Sequence, residues 1–350
     1  MDRKRSQQFM QKLVGDVATS LAVALLLVGE RSGLLGAMAG AGWLSAGELA
    51  ERSGVPVRYV EEWLAALAST GYVEHDPAAG RFTLPDEHAM FLVDPTSEYY
   101  LGGLVEGQIG MTAMAPRVAE AFSRGEGVPF TEFGPGFPGV LERMNRSVYE
   151  RRLVRTWLPE LPDVVARLRE GGRAVDVGCG TGVVPITLAA AFPAAHVVGL
   201  DLDERSVATA AENAAAAGVD IEFVRSSVAE LALDPPWDLV TSFDVVHDLP
   251  DPVGALRRIR AALAHGGTYL MVEPRVAGTL EDDVDNPFAR MLYGISTLHC
   301  VPQSLAQGGP GLGACWGESR ARELAAEAGF GRCDRLDIRS PVMAFYALGR

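Results

Sequence analysis

The 350 residues, 48% hydrophobic and 22% charged, suffice for a sizeable core in one large domain or two ordinary ones. A net charge of −14 at neutral pH offers no positive surface to displace counterions, so neither nucleic acid nor an anionic membrane is expected as a partner. The four cysteines, Cys179, Cys300, Cys315 and Cys333, show no C-x-x-C spacing and the six histidines no H-E-x-x-H pairing, which argues against a disulfide framework and against a metal centre and for a reducing, cytoplasmic setting.

The chain opens on the basic "MDRKR", then the apolar "VATSLAVALLLVGE" and the small-residue "GAMAGAG", which together imitate a signal peptide. The apolar run is too short for a bilayer, which takes about 20 residues. Leu13, Val17, Leu21 and Ala24 share one helical face, as in a helix that packs on a partner. From Leu44 to Asp86 the order is helix, turn, helix and short hairpin, the form of a winged helix. Ser45 and Glu48 make a capping box, and Val57, Val60, Leu64 and Leu67 recur at helical spacing. A winged helix suggests DNA, but on its two helices Glu48, Glu51, Glu61 and Glu62 stand against Arg52 and Arg58, with Glu74 and Arg81 on the hairpin, and the glutamates would repel phosphate. Dimerisation or scaffolding is the expected role of a first domain over residues 1–95.

Residues 96–170 read as a mostly helical connector that contributes to a substrate pocket. It is interrupted by "GEGVPFTEFGPGFPG", either an aromatic-bearing loop over that pocket or an ordinary link. From Arg173 strands and helices alternate: "RAVDVG", "AHVVGLD", "IEFVRS", "WDLVTSFDVV" and "GTYLMVEP" are separated by helices such as "SVATAAENAAAAG" and "PVGALRRIRAALAHG". That alternation predicts an α/β domain over residues 171–350: a Rossmann-like, mostly parallel seven-stranded sheet with helices on both faces, with "CDRLDI" and "MAFYALG" adding an antiparallel edge.

The chemistry concentrates in "VDVGCGTG". Gly178, Gly180 and Gly182 let the backbone turn tightly and let a ligand approach, with Asp176 at the strand end. The spacing is G-x-G-x-G rather than the dinucleotide pattern, and no basic residue in the turn meets phosphate, which favours a cationic, phosphate-free nucleoside. Asp201 in "VVGLDLD", followed by Leu202, ends the second strand where a carboxylate accepts both hydroxyls of a ribose.

With "VDVGCGTG", "VVGLDLD", "FVRSSVAEL", "WDLVTSFDVVHDLPDP" and "GGTYLMVEP", the chain from about Arg173 to its end resembles the class I S-adenosylmethionine-dependent methyltransferases. The resemblance implies that the glycine loop holds the methionyl part of S-adenosylmethionine and Asp201 the ribose. Leu202, Ser227, Val228, Phe243 and Asp244 complete the cofactor site, with S-adenosylhomocysteine as product. Ser227 stands where the family usually has an aspartate on the adenine amine. The order of winged helix, helical connector and sheet is similar to the small-molecule O-methyltransferases of the plant caffeic-acid type and their bacterial relatives in secondary metabolism, which implies a homodimer. In that family His247 of "HDLPDP" falls at the catalytic base and Glu273 of "VEP" at the glutamate that orients it, while Cys315 takes the place of a second glutamate, with Glu318 nearby.

His247 is then either a general base, apt because the reference pKa of imidazole is about 6.5, or a residue that only shapes its loop. Asp251 and Pro252 read as the cap and first residue of the next helix. Tyr293, His299 and Trp316, in a glycine-dense stretch, and Met144 with Asn145 are expected to bind the acceptor, although that stretch also reads as a surface excursion. Cys300 has no basic partner in sequence and is not expected to react or to hold metal. The expected activity is methyl transfer to a hydroxyl of an aromatic or polycyclic small molecule. Transfer to carbon or nitrogen, or a protein of this fold that binds the cofactor for another reaction or for regulation, is the alternative.

Overall fold

The computed structural model describes residues 1–232 and 234–350. They form two compact units, Met1–Ile109 with Arg143–Val148, and Gly110–Glu142 with Tyr149–Arg350.

In the first unit, α1 (Arg3–Arg31) starts at Asp2, whose carboxylate accepts the Arg5 N–H at 3.1 Å. The apolar run is longer than expected: with no proline to break it, the helix continues through both flanks of that run and is long and apolar enough to cross a bilayer, a test of length and composition that core helices and signal sequences pass as well. It buries Ala22, Leu26 and Gly29, while Phe9, Leu13, Val17 and Leu21 are each more than half exposed. Gly29 admits the Trp63 ring, which a Cβ would meet at 2.4 Å, and the Trp63 indole N–H donates to Leu25 O at 2.8 Å.

Three helices follow: α2 (Leu34–Met38), α3 (Ala46–Ser53) and α4 (Val57–Ser69). The capping box forms, with Glu48 N–H on Ser45 Oγ at 3.3 Å and Ser45 N–H on the Glu48 carboxylate at 2.7 Å, and Gly54 ends α3 in the left-handed region. α4 packs by Val60, Trp63, Leu64 and Leu67; Val57, expected on that stripe, is the first residue of the helix and is 46% exposed. The wing is β1 (Glu74–Asp76) paired antiparallel with β2 (Arg81–Thr83), and Leu44 bridges to Phe82.

The second unit is built on β3 (Arg173–Val177), β4 (His196–Asp201), β5 (Glu222–Arg225), β6 (Trp237–Phe243), β7 (Leu263–Pro274), β8 (Arg332–Arg335) and β9 (Met343–Gly349). Their order is β5-β4-β3-β6-β7-β9-β8; the first five are parallel and β9 runs antiparallel to both its neighbours. Helices Val183–Ala191, Glu204–Ala217 and Pro252–Ala262 make crossovers. Val175, Val240, Leu256, Ile259, Tyr269 and Met271 form part of its core. The helix read through "AALAHG" stops at Ala262, because Leu263 pairs with Trp237 of β6 and the chain enters β7 across a register shift.

From β3 the chain winds outward through β4 to β5 and returns to β6 on the other side of β3. At such a reversal the loops leaving adjacent strands diverge, and the crevice beyond the carboxyl ends of β3 and β6 is where sheets of this kind take ligands.

Candidate active site

The loop after β3 carries Gly178, Gly180 and Gly182 at φ of +69°, +52° and +88°, all in the left-handed region. They are glycines for different reasons. A Cβ on Gly178 would meet Val245 at 2.5 Å, and one on Gly182 would meet the Phe223 ring at 2.9 Å, so packing requires both. At Gly180 a Cβ would meet nothing within 4 Å: its backbone lies open to an approaching ligand. Gly178 and Cys179 both donate N–H to Leu200 O, at 2.7 and 3.0 Å, tying the loop to β4.

Asp201, at the end of β4, braces the same loop. Its Oδ2 accepts the Gly180 N–H and its Oδ1 the Asp203 N–H, each at 2.8 Å, which leaves further lone pairs for hydroxyls. Burial raises its carboxyl above the ordinary range and these two backbone bonds work against the rise. Asp176 is set deeper, 3% exposed, with Thr241 Oγ1 donating to it at 2.6 Å. Burial pushes it up to about 8, against the Thr241 bond and helped by the charge of Asp201. Ser227 caps the turn Val228–Glu230, its hydroxyl accepting the Ala229 N–H at 3.2 Å; Val228 is buried and Leu202 exposed. Phe243 packs against Tyr149 and Trp157, with ring centres 5.0 and 6.0 Å away. Open backbone at Gly180, free lone pairs on Asp201 and no basic side chain in the loop suit the uncharged hydroxyls and amide-like edges of a nucleoside.

Val245, which touches the glycine loop, leads into the helical turn Val246–Asp248. There His247 Nδ1 lies 2.5 Å from Glu273 Oε2 of β7, and the two residues are 2% and 1% exposed. Glu273 is held from the other side as well: Oε1 accepts the Val246 N–H at 2.9 Å, and the Trp316 indole N–H donates to Oε2 at 3.2 Å. Burial acts to lower the His247 pKa, but the charges of Glu273 and Asp248 outweigh it and raise it well above the ordinary value. The pair is arranged to receive and hold a proton.

Two more carboxylates crowd this turn. Asp244 takes φ +57°, tolerable for aspartate, with its N–H on Val272 O at 2.9 Å and the Tyr149 hydroxyl 3.5 Å from its Oδ2. Burial and Glu273 push it up to about 6, His247 opposing. Burial raises Asp248 to about 7, again against His247.

His299 sits in the turn Ser296–Cys300 among the rings of Phe133, Phe137 and Phe130, at 4.7, 5.2 and 6.1 Å. The three phenylalanines come from the Gly/Pro-rich loop and the helix that follows it. Burial, assisted by His247, pushes His299 down to about 3, and its buried Nδ1 has no hydrogen-bond partner among the described residues. A neutral imidazole inside an aromatic wall is the result. Tyr293 is half-buried, its phenol raised first by burial and then by Cys315 and Asp283. Trp316, expected at the acceptor, spends its N–H on Glu273. Met144 and Asn145 belong to the first unit, where Met144 Sδ lies 2.6 Å from the position of a Cβ on Gly107. Thr241 and Tyr149 join the site with no signal in sequence, whereas Asp248 directly follows His247 and Cys300 lies in the glycine-dense stretch that also carries His299.

Residues 168–329 match the methyltransferase-domain family and residues 19–94 the Rv2258c-like winged HTH domain. Among curated relatives, a ubiquinone biosynthesis O-methyltransferase of Marinobacter nauticus is 34% identical over 101 residues, 28% of this chain and 42% of that one, so the chain spans less than half of that relative's length. Among solved structures, a putative O-methyltransferase of Nostoc punctiforme aligns over 98% of both chains with a TM-score of 0.74 and 19% identity. The O-methyltransferase NcsB1 from neocarzinostatin biosynthesis, in complex with S-adenosyl-L-homocysteine and 1,4-dihydroxy-2-naphthoic acid, aligns over 97% of this chain and 98% of that one with a TM-score of 0.61 and 20% identity. At these identities the structures establish the shared fold.

Proposed function

Because the chain carries a methyltransferase domain behind an Rv2258c-like winged HTH domain, we propose that it transfers the methyl group of S-adenosylmethionine to a hydroxyl of an aromatic or polycyclic small molecule, with His247 as the general base. The observation that carries this reading is the buried His247–Glu273 pair at 2.5 Å, one turn from the glycine loop. S-adenosylmethionine supplies an electrophilic methyl group when bound. The loop of Gly178, Gly180 and Gly182 would hold its amino-acid part and Asp201 its ribose, with Leu202, Ser227 and Val228 toward the base and Phe243 and Asp244 at the inner end.

His247 takes the proton of the acceptor hydroxyl at Nε2. Glu273 accepts from Nδ1–H, which selects the tautomer with a free Nε2 and stabilises the imidazolium that forms. Trp316 and the Val246 N–H keep the Glu273 carboxylate from rotating away. The aromatic wall of Phe130, Phe133 and Phe137 about His299 suits a flat acceptor, and the naphthoic acid bound by NcsB1 is of that shape. The exposed apolar stripe on α1 supports a homodimer, and the acidic balance supports a cytoplasmic protein that does not use its winged helix on DNA.

Incubation with S-adenosylmethionine and hydroxylated aromatic acceptors should add one methyl group by mass. His247→Gln should lower turnover by about 10²- to 10⁴-fold and leave cofactor affinity by calorimetry nearly unchanged. Full turnover in that variant would remove the base. An amine needs no base, so methylation of amines alone, indifferent to His247→Gln, would favour the nitrogen-acceptor reading.

A further inference from the structure

With Nδ1 of His247 committed to Glu273, Nε2 is the ring nitrogen left to face Asp248 and Cys300. It lies 3.5 Å from Asp248 Oδ1, a buried oxygen with no hydrogen-bond partner among the described residues. Cys300, 4% exposed and brought in from the turn Ser296–Cys300, closes a triangle: an imidazole nitrogen, a carboxylate oxygen and Sγ all lie within 4.8 Å of one another.

We propose that this triangle is a binding site for a thiophilic divalent cation of the zinc class, held by His247 Nε2, the Asp248 carboxylate and the Cys300 thiolate. Bonds of about 2.0–2.3 Å in tetrahedral geometry place ligand atoms about 3.3–3.7 Å apart, so the His247–Asp248 edge already has the required length. One nitrogen, one oxygen and one sulfur form a borderline-soft set; magnesium and calcium need an all-oxygen shell. Three protein ligands leave a fourth position open. The outer shell is in place too, because a metal-bound histidine donates its other N–H to a carboxylate, and Glu273, itself pinned by Trp316 and Val246, is that carboxylate.

On binding, the Cys300 S–H bond and the Nε2–H bond of the His247 imidazolium break, both protons go to solvent and sulfur–metal and nitrogen–metal bonds form, with no change of oxidation state. If His247 is the base proposed above, a nitrogen bound to metal accepts no proton, and the cation shuts the enzyme off.

The full-length protein, stripped with a chelator and titrated anaerobically with Co²⁺ alone, should take up one equivalent and show thiolate-to-cobalt charge-transfer absorption. Cys300→Ser should keep the fold and cofactor binding and lose that absorption, and Glu273→Gln should weaken uptake by about 10- to 100-fold. No charge-transfer band in the wild type, or a band that survives Cys300→Ser, overturns the site. The Zn²⁺ concentration that halves turnover should be higher for Cys300→Ser, measured against that variant's own zinc-free rate, than for the wild type, and an equal half-inhibition in both would overturn the link to activity. The absorption needs no turnover, so a failure of the methyl-transfer reading leaves it readable.

Discussion

Asp176 and Asp201 are carboxylates at the ends of neighbouring strands, set to different tasks by their surroundings. Asp176 faces Thr241, Asp201 and Cys179 and holds its proton to about 8, whereas an unfolded aspartate releases it near ~4. Between those two values the unfolded chain binds fewer protons than the native one, so the contribution of Asp176 to stability is complete below about 4 and is lost as pH rises toward about 8. Asp176→Asn does not titrate. Its urea midpoint should therefore decline less than that of the wild type between about pH 5 and about pH 8; parallel declines would show that Asp176 does not carry the effect. Asp201→Ala would strand the Gly180 and Asp203 N–H groups, at about 1–3 kcal/mol for each that stays unsatisfied. A lowered melting temperature should accompany the loss of S-adenosylmethionine affinity in calorimetry, and intact affinity would exclude Asp201 from the ribose site.

The glycine loop separates packing from ligand approach within one element. Gly180→Ala adds a methyl group to open space at a left-handed φ, a strain of about 1–2 kcal/mol, so the fold should survive while cofactor affinity falls. Gly178→Ala drives its methyl group into Val245 and should lower the melting temperature further and disturb the His247 turn. Equal loss of stability in both variants would mean that neither position is kept for the ligand. In the first unit, Ser45→Ala removes the capping box of α3 and should cost about 1 kcal/mol in chemical denaturation. β7 is the element that local pattern misread: "AALAHGG" has helical composition, yet main-chain pairing with β6 takes over from Leu263. Helix propensity is worth a few tenths of a kcal/mol per residue, and tertiary pairing overrides it.

At the scale of the whole molecule, α1 presents Leu13, Val17 and Leu21 outward, a stripe that costs hydration free energy unless something covers it. If a second copy does, Leu13→Glu with Val17→Glu should convert a dimer to a monomer in sedimentation velocity, and a wild-type monomer at micromolar concentration would remove the dimer. On α4, Arg58 pairs with Glu61 at 3.7 Å and also with Glu62, so the cation of the would-be recognition helix is already neutralised. Salt-sensitive binding to duplex DNA would contradict a scaffold role for the winged helix.

Strand–helix alternation, the winged helix with its Ser45–Glu48 cap, and the G-x-G-x-G loop with Asp201 beyond it were legible along the chain, because periodicity, capping and turn chemistry act between residues a few positions apart. A family resemblance added Glu273 as the partner of His247. Tertiary structure alone decided that Trp316 turns its N–H to Glu273, that three phenylalanines enclose His299, and that Cys300 meets His247 and Asp248. Those side chains sit on separate loops, whose tips converge only after a sheet assembled from distant strands has brought its carboxyl ends together. Their spacing along the chain therefore holds no record of the contact.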